Sequence, residues 1–216
     1  MWPAEYVAAL DRYKACTRDI ERQFRICESL LTQSCLEKKV RSFKAIRLSM
    51  DYMESMIQQE PNLKIIYLVR DPRGILASRQ SISEMSHMSG GNLTKEAQAL
   101  CQRMDSDFEE FQDIKKKFPD NIIMIKYEQL AVESMKTAEH IYQFTRSISL
   151  PLPVREFLGK SLASSRDGRR EDPYGTARKN GSVSVEKWKR ALSGEDILHI
   201  DKVCANVIKN LDYWMY

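Results

Sequence analysis

The stretch Leu63–Gln80, "LKIIYLVRDPRGILASRQ", decides the fold prediction. It begins with a nearly continuous apolar run, "LKIIYLV", which is typical of strands in a parallel sheet that is covered on both faces. Pro72 stands where a helix can begin, and the residues from Arg73 to Met85 are compatible with a helix. The stretch therefore predicts a buried strand, a short turn and a helix.

Two side chains of this stretch fit an anion-binding site. Arg70 ends the strand, and ligands bind at the carboxyl ends of strands in open parallel sheets. The next helix offers free backbone N–H groups and the positive end of its dipole, and Ser78 lies about two turns into it. A phosphate there would accept charge-assisted hydrogen bonds from Arg70 and one from the serine hydroxyl. The residues leave an alternative open, in which Arg70 pairs with Asp71 or another carboxylate and Ser78 is a surface residue.

The flanking segments alternate between helix and strand. "NIIMIKY", residues 121–127, predicts a second buried strand, and residues 93–118 form the clearest helical pattern. Val40–Met50 predicts a short strand because it is rich in β-branched and aromatic residues, and a helix capped by Asp51 should run to Gln59. Further helices are predicted over 135–150 and 195–211. This order predicts an α/β fold with a mostly parallel sheet flanked by helices.

Bulk properties limit the class of protein. The chain has 216 residues, 43% of them hydrophobic. We therefore predict a single domain over 1–216, with a helical segment over 1–35 and a basic loop over 165–183. The 34 basic and 30 acidic residues are interleaved, which permits an anionic ligand but does not indicate a nucleic-acid binder. No run reaches the roughly 18 apolar residues of a membrane span, and the charged N-terminus does not fit a signal peptide.

Cysteines and sequons bear on metal binding and cellular compartment. The five cysteines show no CxxC spacing, so no metal site is predicted. They are either buried thiols or form up to two disulfides with one cysteine left over. The sequons at Asn92 and Asn180 are candidate glycosylation sites and favour a secretory lumen.

Four ordered segments resemble one enzyme family. They are "KAIR" (44–47), "YLVRDPRGILASR" (67–79), "IKYEQLAVESMKTAEHIYQF" (125–144) and the stretch from "YGTARKNGS" to "NLDY" (174–213). They are similar to the sulfotransferases that use 3'-phosphoadenosine 5'-phosphosulfate. The likeness is to the Golgi carbohydrate 6-O-sulfotransferases that act on galactose, N-acetylgalactosamine and N-acetylglucosamine, in particular to the keratan sulfate galactose branch from about Leu36 onward.

The resemblance implies a sulfotransferase fold, with a P-loop-like parallel sheet flanked by helices. It implies transfer of a sulfuryl group from 3'-phosphoadenosine 5'-phosphosulfate to a sugar hydroxyl of a glycan, in particular the 6-hydroxyl of galactose, N-acetylglucosamine or N-acetylgalactosamine, without a metal. It also implies a Golgi location, with membrane attachment only through an anchor that the chain lacks.

The same resemblance assigns individual residues. It implies that Arg70 and Ser78 bind the 3'-phosphate of the donor, and that Arg178, with help from Lys179, belongs to a late basic loop over the nucleotide. An arginine can hold a phosphate with two parallel hydrogen bonds, which lysine cannot. The alternative for Arg178 and Lys179 is an ordinary solvated loop. The resemblance further implies a Cys101–Cys204 disulfide, whose alternative is two unrelated buried thiols.

The catalytic base is not identified by any motif. Sulfuryl transfer needs a group that accepts the proton of the sugar hydroxyl, and the candidates are Glu128 and His87. Glu128 follows the second strand, where it either faces the acceptor or caps the next helix. Trp188 is interpreted as a packing residue rather than a sugar platform.

One family feature is missing from the sequence. The family begins with a strand and a loop of the form R-[ST]-G-[ST]-S that cradles the 5'-phosphosulfate, but the first glycine here is Gly74. We therefore expect an N-terminally incomplete member that binds the nucleotide weakly and transfers sulfate poorly. A non-catalytic sulfotransferase-like protein that binds a glycan or a partner is the main alternative. A nucleotide kinase is a further one, although its G-x4-G-K-[ST] motif is absent.

Overall fold

The sheet forms from the two strongest β-forming runs of the sequence. In the computed structural model, β1 (Ile65–Val69) pairs in parallel with β2 (Ile122–Lys126), residue for residue along the whole of both strands. Isoleucine and valine suit this arrangement because their branched side chains pack well on a pleated surface. The prediction of a parallel sheet is confirmed, and within the described part of the chain this sheet has two strands.

The structure describes residues 11, 32–46, 48–81, 92–146, 148–163 and 185–215, apart from the side chains of 160–163. The chain divides into two compact units, Met1–Leu48 and Ser49–Tyr216. His87, Arg178, Lys179, Asn180 and the predicted basic loop over 165–183 lie outside the described residues.

In the first unit, residues 32–36 are helical and the described residues after them are irregular. The predicted strand over Val40–Met50 is wrong, because residues 40–46 and 48–49 form no strand and Met50 begins a 3-10 helix, Met50–Tyr52, of the second unit. Phe43 and Ile46 are exposed, and no described residue offers the segment a strand to pair with. Strand propensity describes a half-buried surface, so it does not form a strand without neighbours.

Helices flank the sheet in the second unit. Their bounds are α1 Met53–Gln59, α2 Pro72–Gln80, α3 Leu93–Lys117, α4 Tyr127–Val132, α5 Ser134–Arg146, α6 Leu152–Ala163, α7 Trp188–Ala191, α8 Gly194–Val203 and α9 Ala205–Asn210. The α/β class predicted from the sequence is confirmed.

Several helix boundaries differ from the sequence prediction. Asp51 is not an N-cap; it lies in the first turn of the 3-10 helix and accepts a hydrogen bond from the Ser49 hydroxyl at 2.6 Å. The predicted last helix over 195–211 is divided at Cys204, which ends α8 and precedes α9. Helix α6 was not predicted at all.

The core lies between α3, α8, α9 and one face of the sheet. α3 buries one face at helical spacing, and α2 contributes Leu76, which is fully buried. The disulfide between Cys101 of α3 and Cys204 lies inside this core, with an S–S distance of 2.02 Å. The buried residues of α3 are Ala97, Cys101, Met104, Phe108, Phe111 and Ile114.

The two strands are covered to different extents. β2 is buried on both faces, with Ile122 on one side and Ile123 and Ile125 on the other. In β1, Ile66 and Leu68 are 39% and 54% exposed. Alternate strand residues point to opposite faces, so the prediction that both faces are covered is right for β2 and wrong for one face of β1.

Candidate functional site

The candidate site lies at the edge where both strands end. Because β1 and β2 are parallel and in register, the residues that follow them, Arg70 and Tyr127, emerge side by side. The central guanidinium carbon of Arg70 lies 4.5 Å from the centroid of the Tyr127 ring. A cation at this distance is attracted by the face of the ring, so the stack helps to hold Arg70 at the sheet edge.

The lack of a side chain at Gly74 leaves space for the Arg70 side chain to lie along α2. A Cβ atom placed on this buried glycine would lie 3.2 Å from Nε of Arg70 and 3.4 Å from its Nη2, closer than ordinary van der Waals contact. The absence of a side chain therefore lets the guanidinium lie against the helix. Ser78 follows four residues later on the same face of α2, and its side chain is exposed. The structure thus puts Arg70 and Ser78 beside the same helical face.

The alternative in which Arg70 pairs with Asp71 does not occur. Asp71 is engaged by Arg73, whose Nη2 lies 2.8 Å from Oδ2 and whose Nε lies 3.0 Å from Oδ1. Asp71 also caps α2 by accepting a hydrogen bond from the backbone N–H of Arg73 at 2.9 Å. No carboxylate among the described residues lies within ion-pair distance of Arg70. Its guanidinium N–H groups are therefore not taken up by a described acid.

A buried ionic cluster that is not among the features predicted from the sequence supports the turn that follows Arg70. Arg73 is 2% exposed and bridges Asp71 to Asp201 of α8, with Nη1 3.1 Å from Oδ1 of Asp201. Its guanidinium also lies 4.3 Å from the ring centroid of Trp188. The Asp71-Pro72-Arg73 spacing is a local signal for part of this cluster, whereas nothing in the sequence around Asp201 marks it as the second partner.

Glu128 connects the two strand ends. Its Oε1 accepts a hydrogen bond from the backbone N–H of Asp71 at 3.0 Å, and its Oε2 accepts one from the Tyr213 hydroxyl at 2.9 Å. It lies in the first turn of α4, but its bonds go to other segments rather than to that helix. Burial first, and then the Glu128 carboxylate, raise the pKa of the Tyr213 phenol well above its usual range. The hydroxyl therefore stays protonated and donates.

The remaining sequence candidates within the described residues lie away from this edge or in the core. Asn92 is exposed and caps α3, with its side-chain oxygen accepting from the backbone N–H of Lys95 at 3.1 Å. Cys101 and Cys204 are bonded to each other, as the resemblance implies, and Cys35 is an exposed free thiol. Trp188 is 5% exposed, so its interpretation as a packing residue is confirmed.

Across the described ranges, no group of three or more histidine, cysteine or acidic side chains is arranged to hold a metal ion. Within those ranges, too, every helix is either too short or too polar to cross a membrane.

Comparison with known proteins identifies the class. A model of the Sulfotransferase family matches residues 10–147, well over half of the chain. The chain belongs to the sulfotransferase family, and the resemblance seen in its motifs is confirmed. No solved structure matches it.

Several curated proteins with sequences similar to this chain are carbohydrate sulfotransferases. The chain is 27% identical to carbohydrate sulfotransferase 1 of Rattus norvegicus, over 87% of this chain and 48% of the relative. It is 26% identical to the Homo sapiens protein of the same name, over 86% and 47%. It is 25% identical to carbohydrate sulfotransferase 3 of Tetronarce californica, over 86% and 44%. The chain spans about half the length of the curated relatives it matches.

Proposed function

We propose that this chain carries the donor 3'-phosphate site of a carbohydrate sulfotransferase. The donor in this proposal is 3'-phosphoadenosine 5'-phosphosulfate. The acceptor is a sugar hydroxyl of a glycan, in particular the 6-hydroxyl of galactose, N-acetylglucosamine or N-acetylgalactosamine. The observation that carries the proposal is the placement of Arg70 and Ser78 along one face of α2 at the carboxyl edge of a parallel sheet, with Arg70 free of any described acid.

The geometry suits a phosphate in three ways. The Arg70 guanidinium provides a planar pair of donors, which matches two phosphate oxygens. Helix α2 has nine residues and begins beside Arg70, so its N-terminal end adds positive potential. The Ser78 hydroxyl supplies a neutral donor further along the same face. Arg178 and Lys179 are proposed to complete the nucleotide site from the late basic loop.

The proposed reaction is an in-line displacement at sulfur. The sugar hydroxyl oxygen forms a bond to sulfur while the bond from sulfur to the 5'-phosphate oxygen breaks, releasing adenosine 3',5'-bisphosphate. The hydroxyl proton passes to a base, for which Glu128 and His87 remain the candidates. Cationic groups around the migrating sulfuryl group would stabilise the developing charge.

A second candidate function is glycan or partner binding without catalysis. The two functions differ in one measurement, the transfer of radiolabelled sulfate from the donor to galactose- or N-acetylglucosamine-terminated glycans. Transfer supports the enzyme, and glycan binding without any transfer supports the alternative.

Replacing Arg70 or Ser78 by alanine tests the donor site. Loss of one hydrogen-bonded, charged contact is worth about 1.5–3 kcal/mol, so the Arg70→Ala enzyme should show a donor KM raised by about 10- to 100-fold. Ser78→Ala should act in the same direction with a smaller effect. The acceptor KM should change much less, because only the donor carries the 3'-phosphate.

Lys116→Ala is the matched control for the loss of a cation. Lys116 pairs with Asp113 near the end of α3, and both side chains are exposed. This helix end leads into the start of β2, at the opposite edge of the sheet from Arg70. The control should leave both KM values unchanged, and equal changes of donor and acceptor KM in Arg70→Ala would contradict the assignment.

A location in the Golgi lumen is part of the proposal, and the sequon at Asn92 tests it. The side-chain oxygen of Asn92 caps α3, which leaves the exposed amide nitrogen as the point of attachment for a glycan. Protein made in its own cells should therefore shift in gel mobility after digestion with an N-glycosidase. Thr94→Ala removes the sequon but keeps the Asn92 cap, so it should lower the shift by one glycan. An unchanged shift in this variant would show that Asn92 is not modified.

A further inference from the structure

The segment after α9 holds Tyr213 in a fixed position. Asp212 has φ 52°, in the left-handed region, and its N–H donates to the carbonyl of Lys209 at 3.1 Å. The N–H of Tyr213 donates to the carbonyl of Ile208 at 2.7 Å. This pair of bonds is the Schellman motif that ends many helices. The ring of Tyr213 then lies beside Lys126, whose Nζ is 5.0 Å from the ring centroid.

Tyr213 belongs to a chain of hydrogen bonds that reaches the turn after Arg70. The Tyr213 hydroxyl donates to one oxygen of Glu128, and the backbone N–H of Asp71 donates to the other. We call this chain the Tyr213–Glu128 link. It joins three segments that are far apart in sequence: the turn after β1, the first turn of α4, and the segment after α9.

Two residues of the Tyr213–Glu128 link, Asp71 and Glu128, lie next to Arg70 or to its stacking partner. Asp71 is the residue after Arg70, and Glu128 is the residue after Tyr127, on whose ring the Arg70 guanidinium rests. Movement of either strand end would therefore change the Arg70–Tyr127 stack. The raised pKa of the Tyr213 phenol keeps its hydroxyl protonated, so it can donate to Glu128.

We propose that Glu128 and Tyr213 are positioning residues for the phosphate-binding geometry of Arg70. This inference rests on the proposed function, because it assumes that Arg70 holds the 3'-phosphate. In this proposal both residues act through Arg70 and not on the 3'-phosphate itself. Both hold the two strand ends at the separation that presents the Arg70 guanidinium already oriented, so that less freedom is lost when the phosphate binds.

The test compares two nucleotides that differ only in the 3'-phosphate. The affinities of the chain for adenosine 3',5'-bisphosphate and adenosine 5'-monophosphate are measured by calorimetry, and their ratio reports what the 3'-phosphate contributes. Tyr213→Phe and Glu128→Ala should lower this ratio by about 3- to 30-fold, the size of typical long-range couplings. Glu128→Gln should keep most of it, since an amide can accept from the Asp71 N–H and donate to the Tyr213 oxygen.

Each outcome bears on a separate claim. Tyr52→Phe is the control, because Tyr52 is an exposed tyrosine on the 3-10 helix outside the link, and it should leave the ratio unchanged. If the unsubstituted chain prefers the bisphosphate but Tyr213→Phe and Glu128→Ala keep its ratio, the positioning role is refuted and the donor site stands. If the unsubstituted chain shows no preference, the proposed function fails and the inference fails with it. Tyr213→Phe removes a single hydroxyl group and keeps its ring, so it answers the question even if Glu128→Ala does not fold.

Discussion

Replacing Arg73 by methionine is expected to lower the free energy of unfolding by about 3–5 kcal/mol, the usual effect of removing one partner from a buried ion pair. Arg73 is the cation that Asp71 and Asp201 share, and all three side chains are buried. Methionine fills a similar volume, so the loss comes from the carboxylates that no longer face this cation rather than from a cavity. Urea unfolding followed by circular dichroism measures the change.

Lys116→Met is the control that shows how much stability is lost when a cation is removed from an exposed ion pair and not from a buried one. Lys116 forms an ion pair with Asp113 at 2.9 Å, but the two side chains are 75% and 64% exposed. Exposed pairs of this kind contribute about 0.2–1 kcal/mol, so the control should unfold close to the unsubstituted chain. If Arg73→Met lost no more stability than Lys116→Met, the cluster would not be a stabilising element.

Replacing both Cys101 and Cys204 by alanine is expected to cost about 2–5 kcal/mol of stability. The disulfide joins residues 103 apart in the sequence, so it restricts a long loop in the unfolded chain. It also links α3 to the end of α8, the helix that carries Asp201. A reductant should lower the urea midpoint of the unsubstituted chain towards that of the double variant, and should shift the double variant less.

Cys35→Ala is the control for the loss of a thiol. Cys35 is exposed and is a free thiol, so this variant should keep both its stability and its response to reductant. An unsubstituted chain whose urea midpoint did not respond to reductant would argue against a stabilising disulfide.

The local part of the site could be predicted from the sequence. The β-branched residues of the run "LKIIYLV" predict a strand, and Pro72 predicts the start of α2. The positions of Arg70 at the strand end and Ser78 in the helix follow from these two elements. In the structure Arg70 lies against Gly74 of α2, and Ser78 follows one helical turn after Gly74. The role of Arg70 and Ser78 in phosphate binding stays a prediction. The disulfide was inferred from family resemblance, since cysteine spacing alone left several pairings open.

The partners of these residues could not be predicted, because they are distant in sequence. Asp201 meets Arg73 across 128 positions, and Tyr213 meets Glu128 across 85. The sequence around Asp201 or Tyr213 contains no motif that marks either residue as a partner of a distant side chain. The same dependence on tertiary context explains the wrong strand over Val40–Met50, where strong propensity met no pairing partner among the described residues.

The buried cluster and the Tyr213–Glu128 link determine when this part of the protein can finish folding during synthesis. The ribosome adds the residues of the first segments, Arg70, Arg73 and Glu128, before it adds their later partners. These partners are Trp188, Asp201 and Tyr213. Until those later residues arrive, the nascent chain can pair its strands but cannot neutralise Arg73 with Asp201 or hold Glu128 with Tyr213. Contacts between such distant positions form slowly, because the intervening chain must first be brought together. The sheet edge that carries Arg70 therefore becomes rigid only after the segment from Trp188 to Tyr213 has been made and has packed against it.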